Sequence, residues 1–382
     1  MRIVLATPVY PPEVGGPATY TVEFAKRLRG EHHIVIVAYT DEGTPVPHTH
    51  LISVSKRQFL PIRLIKFYFA LLREARQSDI IYVQNAVAAG LPAMLVGRRL
   101  RKPVILKFVG DEAWERARQA RKTNKTLAQF LKTPQGGLYV RLLMMIEGAV
   151  LRRVSLVTTP SKYLCELLTK FYGVPKEKLI VNYNAVDVPA SVATVSRTPH
   201  QVMTAVRLVE WKGVDGIIQA VSVLKDNFPD IRLIIAGDGP EKESLVALVR
   251  TLRLQDDVTF LGQLAPEKIR ELQAQSDVQV LNSRYEGLPH GVIEGFATQT
   301  PIVATDIPGT DEAVYHEKTG LLVPPGDTRA LAKAIERLFR DEPLRMRIIK
   351  GGEELLSERF SWEAHLERFN GMLRSLGINK SG

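Results

Sequence analysis

Two glutamates occupy a segment whose residue types suit a ligand that carries both phosphates and hydroxyls. Glu286 and Glu294 are separated by seven residues in the segment Tyr-Glu-Gly-Leu-Pro-His-Gly-Val-Ile-Glu-Gly-Phe-Ala, residues 285–297. Gly287 permits a tight turn, and Pro289 is typical of the first turn of a helix. The free N–H groups at the start of that helix would attract a phosphate. A carboxylate accepts two hydrogen bonds from a diol, so Glu294 suits a ribose and Glu286 suits hydroxyls on a sugar ring.

Two cations follow a short apolar segment, Val202–Ala205, that we predict to be a strand. Arg207 offers a planar fork of donors and Lys212 offers a point charge. Both suit a diphosphate that leaves a reaction with its negative charge. An isolated pair of this kind is also typical of a solvated surface, but the position at the end of a strand favours a binding site.

A pair of glycines lies in the first turn of the chain. Gly15 and Gly16 follow the opening strand and allow a ligand to approach the backbone closely. The turn lacks the spacing of a dinucleotide-binding fingerprint or a Walker A loop, so neither NAD nor ATP binding is predicted. A second glycine-rich turn, at residues 235–240, is interpreted as structural.

Short apolar segments alternate with amphipathic ones along the whole chain, which predicts the α/β class with two doubly wound parallel sheets. Two sets of six strands are expected: Ile3–Ala6, Ile34–Ala38, Ile80–Val83, Val104–Phe108, Leu156–Thr159, Leu179–Val181, and then Val202–Ala205, Arg232–Ala236, Val258–Phe260, Val278–Leu281, Ile302–Ala304, Gly320–Val323. We predict Rossmann-like domains at residues 1–187 and 201–361, joined by a small, polar linker at residues 188–200. Ligands are expected in a cleft at the carboxyl ends of the strands.

Composition is that of an ordinary globular protein, with 45% hydrophobic and 24% charged residues among 382. The single cysteine, Cys165, excludes an internal disulfide and is interpreted as a structural thiol. The opening apolar segment is too short for a signal peptide. Residues 80–97 carry no charge but are interrupted by polar residues, glycine and proline, so a strand and a helix are expected there rather than a membrane span. A cytoplasmic protein is therefore expected.

Positive charge is concentrated in the first half. Residues 1–190 carry 28 Lys and Arg against 14 Asp and Glu, whereas residues 191–382 carry 23 against 27. This asymmetry predicts an anionic partner, such as a membrane surface, a phosphorylated lipid or a polyanionic acceptor. Residues 56–69 mix cations with large apolar side chains, so an interfacial amphipathic helix and a core helix with a basic face both remain open. No nucleic-acid-binding motif accompanies the charge.

Taken in order, these segments resemble family-4 glycosyltransferases, which have the GT-B fold and retain the anomeric configuration of the transferred sugar. The most specific part is the E-x7-E motif from Glu286 to Glu294, followed by the segments 300–306 and 320–327. The spacing of Arg207 and Lys212 and both glycine-rich turns also match. The resemblance covers nearly the whole chain.

The resemblance implies a nucleotide-sugar donor, with a UDP- or GDP-hexose as the leading candidate. Arg207 and Lys212 would then hold the diphosphate, Glu294 the ribose and Glu286 a sugar hydroxyl. The other donor contacts would come from Gly15, Gly16, Leu288, Pro289, His290, Gly291 and Val292, mainly through the backbone. The family needs no metal, and we find no D-x-D motif, so neither a metal nor another cofactor is expected. A last helix, residues 362–382, would pack back on the N-terminal domain.

One position departs from the family pattern with consequences for function. Val109 stands where the family usually has a histidine. Asp111 nearby is a candidate for acceptor or sugar contacts and equally a candidate helix N-cap. We expect a retaining hexosyltransferase acting on a glycan, lipid-linked or small-molecule acceptor, peripheral on the inner face of the membrane. The alternative is a catalytically inert GT-B subunit that binds a nucleotide sugar or scaffolds a glycan-assembly complex.

Overall fold

The chain folds into two compact α/β units. The computed structural model describes residues 1–13, 15–188 and 196–378. One unit comprises Met1–Asn182 together with Arg368–Gly382, and the other comprises Tyr183–Glu367. Both contain a parallel sheet with helices between most successive strands, so the predicted α/β class with two doubly wound sheets is confirmed.

The first unit contains a seven-stranded parallel sheet in the order β3-β2-β1-β4-β5-β6-β7. Its strands are β1 (Arg2–Thr7), β2 (His33–Tyr39), β3 (His50–Val54), β4 (Ile80–Gln84), β5 (Val104–Lys107), β6 (Leu156–Thr159) and β7 (Leu179–Val181). The central strands are buried along almost their whole length, because helices cover both faces of a parallel sheet. Strand β3 was not predicted. It lies at the sheet edge and is largely solvent-accessible, so it lacks the continuous apolar signal of the central strands.

In the described part of the first unit, seven helices lie between the strands. They are α1 (Gly16–Leu28), α2 (Leu60–Ala75), α3 (Gly90–Leu100), α4 (Glu112–Gln119), α5 (Leu127–Lys132), α6 (Gly137–Arg153) and α7 (Lys162–Tyr172). Among the described residues, no helix is both long enough and apolar enough to cross a membrane.

The second unit contains a six-stranded parallel sheet in the order β10-β9-β8-β11-β12-β13. Its strands are β8 (Thr198–Ala205), β9 (Arg232–Ala236), β10 (Val258–Gly262), β11 (Ser276–Leu281), β12 (Ile302–Thr305) and β13 (Leu321–Val323). The helices are α8 (Val214–Leu224), α9 (Lys242–Thr251), α10 (Pro266–Gln275), α11 (His290–Ala297), α12 (Thr328–Arg340), α13 (Glu342–Leu355) and α14 (Trp362–Ser375). Its core is a continuous cluster of buried aliphatic side chains between the sheet and these helices.

The predicted linker was too long at its C-terminal end. Thr198–His200 belong to β8, where Thr198 pairs with Ser276 and the His200 N–H donates to Asp277. The segment 189–195 lies outside the described residues. The sequence placed the end of the first domain at residue 187, whereas the structure divides the chain after Asn182.

Residues 183–187 and 362–367, which were predicted to go with the first domain, belong to the second unit. His365 Nδ1 lies 2.7 Å from the Tyr183 carbonyl oxygen, and the Tyr183 ring packs on Phe360 at 5.3 Å. Helix α14 therefore begins in the second unit. From Arg368 onward it belongs to the first unit, where the Phe369 ring lies 5.0 Å from that of Phe24.

Candidate functional site

The two loops that carry the predicted cations and Glu286 follow neighbouring strands of the second sheet. From β8 the chain winds outward through β9 and β10, and from β11 it winds the other way through β12 and β13. The connections after β8 and β11 therefore lead to opposite sides of the sheet and leave a crevice at its carboxyl edge. Ligands of such sheets bind in that crevice. Arg207 and Lys212 lie in the first loop and Glu286 in the second.

Lys212 and Glu286 form an ion pair in this crevice. The Lys212 Nζ donates to the Glu286 Oε1 at 2.5 Å, and the two side chains are 20% and 9% exposed. Lys212 ends a 3-10 turn, Glu210–Lys212. That turn is tied to the other loop because the Arg284 N–H donates to the Trp211 carbonyl at 2.8 Å. The backbone therefore positions both partners of the pair.

Gly213 makes this close approach of the two loops possible. It has φ near +60°, and a Cβ there would lie 2.2 Å from the Asn282 carbonyl oxygen. Asn282 also donates from its side-chain amide to the Gly213 carbonyl at 2.8 Å. A larger residue at 213 would separate the loop of Lys212 from that of Glu286.

The Arg207 side chain is exposed and makes no hydrogen bond or ion pair within the described part of the chain. Its loop is fixed through the backbone on either side: the Leu208 N–H donates to the Asp238 carbonyl at 3.0 Å. Gly237, with φ near +128°, allows this contact, since a Cβ there would lie 1.9 Å from the Val206 carbonyl oxygen. The glycine-rich turn at residues 235–240 is therefore structural, as predicted, and it leaves the guanidinium free to meet an anion.

Helix α11 presents its N-terminus at the same edge. It begins at His290, so Pro289 is the N-cap residue rather than part of the first turn as predicted. No side chain caps the helix, and the first N–H groups of a helix have no partner within it. Gln279 of β11 fixes this end by donating to the Gly291 carbonyl at 2.8 Å. The N–H groups of His290 and Gly291 therefore remain as potential anion donors.

The rest of the predicted donor set is placed around this helix. Glu294 is 28% exposed, and its Oε1 lies 3.4 Å from His290 Nδ1. The side chains of Leu288 and Val292 are buried in the unit, so only their backbone groups are available to a ligand. A Cβ added at Gly309, which has φ near +90°, would lie 2.6 Å from the Glu286 carbonyl oxygen. Gly309 therefore packs closely against the loop of Glu286.

In the first unit, the corresponding crevice lies between β1 and β4. Gly15 is the N-cap residue and Gly16 the first residue of α1. A Cβ at Gly16 would meet no atom of the described residues within 4 Å. Gln84, at the end of β4, donates to the Pro17 carbonyl at 3.3 Å and anchors this turn. The two glycines therefore border the crevice of their own sheet.

Asp111 is a helix cap and not an exposed contact residue. Its side chain is fully buried, Oδ1 accepts from the Trp114 N–H at 2.7 Å, and Oδ2 accepts from the Tyr172 hydroxyl at 2.5 Å. Burial raises the pKa of Asp111, and burial together with Asp111 raises the pKa of the neighbouring Glu147. We therefore correct the catalytic assignment of Asp111, since both oxygens are engaged and neither reaches solvent.

Sequence reasoning did not single out Lys107, at the carboxyl end of β5. Its side chain is buried, its Nζ lies 4.3 Å from the centre of the Tyr20 ring, and burial lowers its pKa to about 7. An apolar strand pattern gives no signal for such a residue. Val109, in the loop after β5, is 40% exposed, so it contributes an apolar surface where the family usually has histidine. Among the described residues, no group of three or more His, Cys, Asp or Glu side chains is placed to hold a metal ion.

Two doubly wound parallel-sheet units in one chain are the architecture of the GT-B fold. Two family models match side by side: "Glycosyltransferase Family 4" over residues 14–189 and "Glycosyl transferases group 1" over residues 193–355. The chain belongs to glycosyltransferase family 4.

One solved structure and two relatives illustrate what the chain is similar to. HepE of Anabaena, solved in complex with UDP, superimposes with a TM-score of 0.79 at 20% identity, covering 98% of this chain and 100% of that chain. That likeness establishes the fold. Alpha-D-kanosaminyltransferase of Streptomyces kanamyceticus is 33% identical over 172 residues, which span 45% of each protein. Glycogen synthase of Mycobacterium tuberculosis is 25% identical over 390 residues, covering 95% of this chain and 92% of the relative.

Proposed function

We propose that the chain transfers a hexose from a UDP- or GDP-hexose to an acceptor hydroxyl with retention of configuration and without a metal. The observation that carries the proposal is the Lys212–Glu286 ion pair at the second sheet's crevice, next to the loop of the exposed Arg207. This site offers two cations and a carboxylate to a ligand with both phosphates and hydroxyls. The UDP bound to HepE is consistent with such a donor.

Each part of the nucleotide sugar has a matching partner in the second unit. Arg207 and Lys212 would hold the diphosphate by charge-assisted hydrogen bonds, together with the open N–H groups of α11. Glu294 would accept hydrogen bonds from the ribose diol. A bound diphosphate would share the Lys212 cation, which frees Glu286 oxygens for hydroxyls of the transferred sugar. The ion pair therefore holds both groups in place before the donor arrives.

The proposed chemistry needs no side chain as a base. The bond from the sugar C1 to the diphosphate oxygen breaks, and the acceptor oxygen forms a new bond to C1 on the same face. The acceptor proton passes to an oxygen of the departing diphosphate. Arg207 and Lys212 stabilise the charge that develops on that diphosphate, which is the role a divalent cation plays elsewhere. Val109 is compatible with this route because no histidine is required to take the proton.

The acceptor belongs, in this proposal, to cell-envelope polysaccharide or glycolipid synthesis. A glycan, lipid-linked or small-molecule hydroxyl would suffice chemically, and the glycogen synthase relative acts on a polysaccharide by its name. The excess of 28 Lys and Arg over 14 Asp and Glu in residues 1–190 supports a cytoplasmic protein that associates peripherally with an anionic membrane.

The test is product analysis with a panel of nucleotide hexoses and acceptors, with and without EDTA. An α-linked product from an α-linked donor, formed equally well in EDTA, is the expected result. A product of inverted configuration would overturn retention. Loss of activity in EDTA, restored by a divalent ion, would overturn the metal-free diphosphate site.

A second candidate, an inert subunit, is favoured by Val109 alone. Such a protein would bind a nucleotide sugar yet neither transfer nor hydrolyse it across a wide acceptor panel. Donor hydrolysis or transfer by the purified chain, abolished by Glu286→Gln, would exclude it.

A further inference from the structure

One stretch of the first unit carries more net positive charge than the whole chain does. Residues 43–146 carry 18 Lys and Arg against 5 Asp and Glu, compared with a net charge of +10 for the whole chain. Two segments, 43–73 and 116–146, contain no acidic residue at all. They include the first halves of α2 and α6.

Helix α2 has apolar side chains on two faces. Phe67, Leu71, Leu72 and Ala75 are buried, as expected of a helix packed on a sheet. A second set remains in solvent, with exposed fractions of 49–73%: Phe59, Leu60, Ile62, Ile65 and Phe69. The helix therefore packs on the core and also presents an apolar surface to solvent, so the interfacial interpretation of residues 56–69 stays a prediction.

Helix α6 repeats this arrangement at its own N-terminal half. Val140 and Leu143 are buried, whereas a second set of large side chains is exposed by 45–85%: Leu138, Tyr139, Leu142 and Met145. This set could not be recognised from the sequence, because residues 137–146 have the same composition as any core helix. Together, α2 and α6 expose nine large apolar or aromatic side chains, more than the scattered single ones of an ordinary surface.

The topology places both exposed sets in one helix layer and at one end of it. The connections that carry α2, α3 and α6 cross the sheet in the same direction, so right-handed crossovers put all three on one face. Helix α3 packs against both α2 and α6, and its Leu95 is 46% exposed. Since α2 and α6 each lead into the start of a strand, their N-terminal halves lie at the carboxyl edge.

Cations are interspersed with the apolar side chains. Arg57 is 80% exposed before α2, Lys66 is exposed on α2, and Arg141 is exposed on α6. The loop between α4 and α5 adds Arg121 and Lys122, both exposed, in an open depression that Lys125 and Gln135 also line. Large apolar side chains next to cations complement the acyl chains and anionic head groups of a phospholipid bilayer. A protein partner would need opposing acidic groups over the whole width of this surface.

We propose that the exposed apolar sets of α2 and α6, with Leu95 between them, form a two-helix docking surface for an anionic phospholipid bilayer. The inference deepens the peripheral membrane association proposed above and rests on that association. The apolar side chains enter the head-group region from two helices of one rigid layer, and the flanking cations contact anionic head groups. The carboxyl edge of the first sheet, with its Gly15–Gly16 turn, is then the edge held towards the membrane.

The experiment is cosedimentation of the full chain with vesicles of equimolar phosphatidylcholine and phosphatidylglycerol, and with phosphatidylcholine alone. Met145→Glu and Phe69→Glu each place a carboxylate in the docking surface, and we expect each to weaken partitioning about tenfold or more. Met346→Glu is the matched control, because Met346 is 59% exposed on α13 of the second unit. The control should bind as the unmodified chain does. Raising the salt concentration, or omitting phosphatidylglycerol, should weaken binding of the unmodified chain.

Three outcomes would overturn the inference. The first is no binding of the unmodified chain to the anionic vesicles. The second is equal binding by Met145→Glu, Phe69→Glu and Met346→Glu. The third is that the unmodified chain is a dimer in the absence of vesicles and both surface variants are monomers. This face would then be a contact between two copies. Nucleotide binding and turnover of a soluble acceptor, measured without vesicles, separate these outcomes from failure of the transferase proposal: loss of docking with turnover intact overturns only the docking surface.

Discussion

The Lys212 Nζ lies 2.5 Å from the Glu286 Oε1, although the two residues are 74 positions apart in the chain. The contact exists because β8 and β11 are neighbours in the sheet and the loops after them share a crevice. Two hydrogen bonds fix both loops independently of the ion pair: the Arg284 N–H donates to the Trp211 carbonyl, and the Asn282 side-chain amide donates to the Gly213 carbonyl. The pair is therefore preorganised, and the functional proposal depends on it.

Removing either partner should abolish most turnover while the chain stays folded. For Glu286→Gln or Lys212→Ala we expect kcat to fall about 100- to 1000-fold, since each removes a group that acts on the donor. Glu267→Gln is the control, because Glu267 is a 77% exposed glutamate of the same unit that pairs with Arg270. Steady-state kinetics and circular dichroism measure the two properties. Full activity of a folded Lys212→Ala variant would exclude the diphosphate role.

Arg207 should contribute to donor affinity and not to stability. A hydrogen bond to a charged group contributes about 1.5–3 kcal/mol, so Arg207→Ala should raise the Kd for the nucleoside diphosphate about 10- to 100-fold. The control is Arg329→Ala, because Arg329 is also exposed in the same unit. Titration calorimetry reports the affinity. If both variants bind the nucleotide equally well, Arg207 is a surface residue only.

Replacing Gly213 by alanine should lower the free energy of unfolding more than replacing Gly262, which has a similar backbone conformation. Gly213 has φ +60° and Gly262 has φ +68°, so alanine at either position costs about 1–2 kcal/mol of left-handed strain. Only at Gly213 would the Cβ also collide with a backbone oxygen, whereas at Gly262 it meets nothing within 4 Å. Denaturant unfolding should therefore show the larger loss for Gly213→Ala, with weaker nucleotide binding. Equal losses would contradict the close approach of the two loops.

The buried carboxyls of the first unit should make stability depend on pH. Burial raises the pKa of Glu147 well above its ordinary value of 4.5, so the folded chain keeps a proton that the unfolded chain releases. The free energy of unfolding must then decrease as the pH rises from 4.5 towards the raised pKa. Glu147→Gln should remove that part of the slope in a series of melts, whereas the exposed control Glu166→Gln should not. An unchanged slope in Glu147→Gln would show that the carboxyl is ionised in the folded state.

Local patterns were sufficient for features that depend on neighbours in the chain. The segment Leu179–Val181 was predicted with the bounds that the structure gives β7. Strand β3 was missed because an edge strand is largely accessible and lacks a buried pattern. The two possible roles of Asp111 could not be separated from the sequence. The cap itself is local, because Asp111 accepts from the Trp114 N–H, but the Tyr172 hydroxyl that occupies its second oxygen comes from far along the chain.

Features that depend on strand order or packing were beyond the sequence. The sequence suggested separate roles for Lys212 and Glu286, but their contact follows from β8 lying beside β11, which no local pattern encodes. Similarly, the composition of α6 does not reveal that Leu138 and Met145 stay in solvent, because the neighbouring helices determine which of its faces is covered.

The most direct test of the account is a thermal-shift measurement with UDP, GDP, ADP and their hexose conjugates, each in the presence and absence of EDTA. One nucleotide family should raise the melting temperature, the shift should persist in EDTA, and Arg207→Ala should reduce it. A ligand at about 100 times its Kd adds about 2.7 kcal/mol of stability, enough for a measurable shift. No stabilisation of the unmodified chain by any of these nucleotides would contradict the donor site on which the account rests.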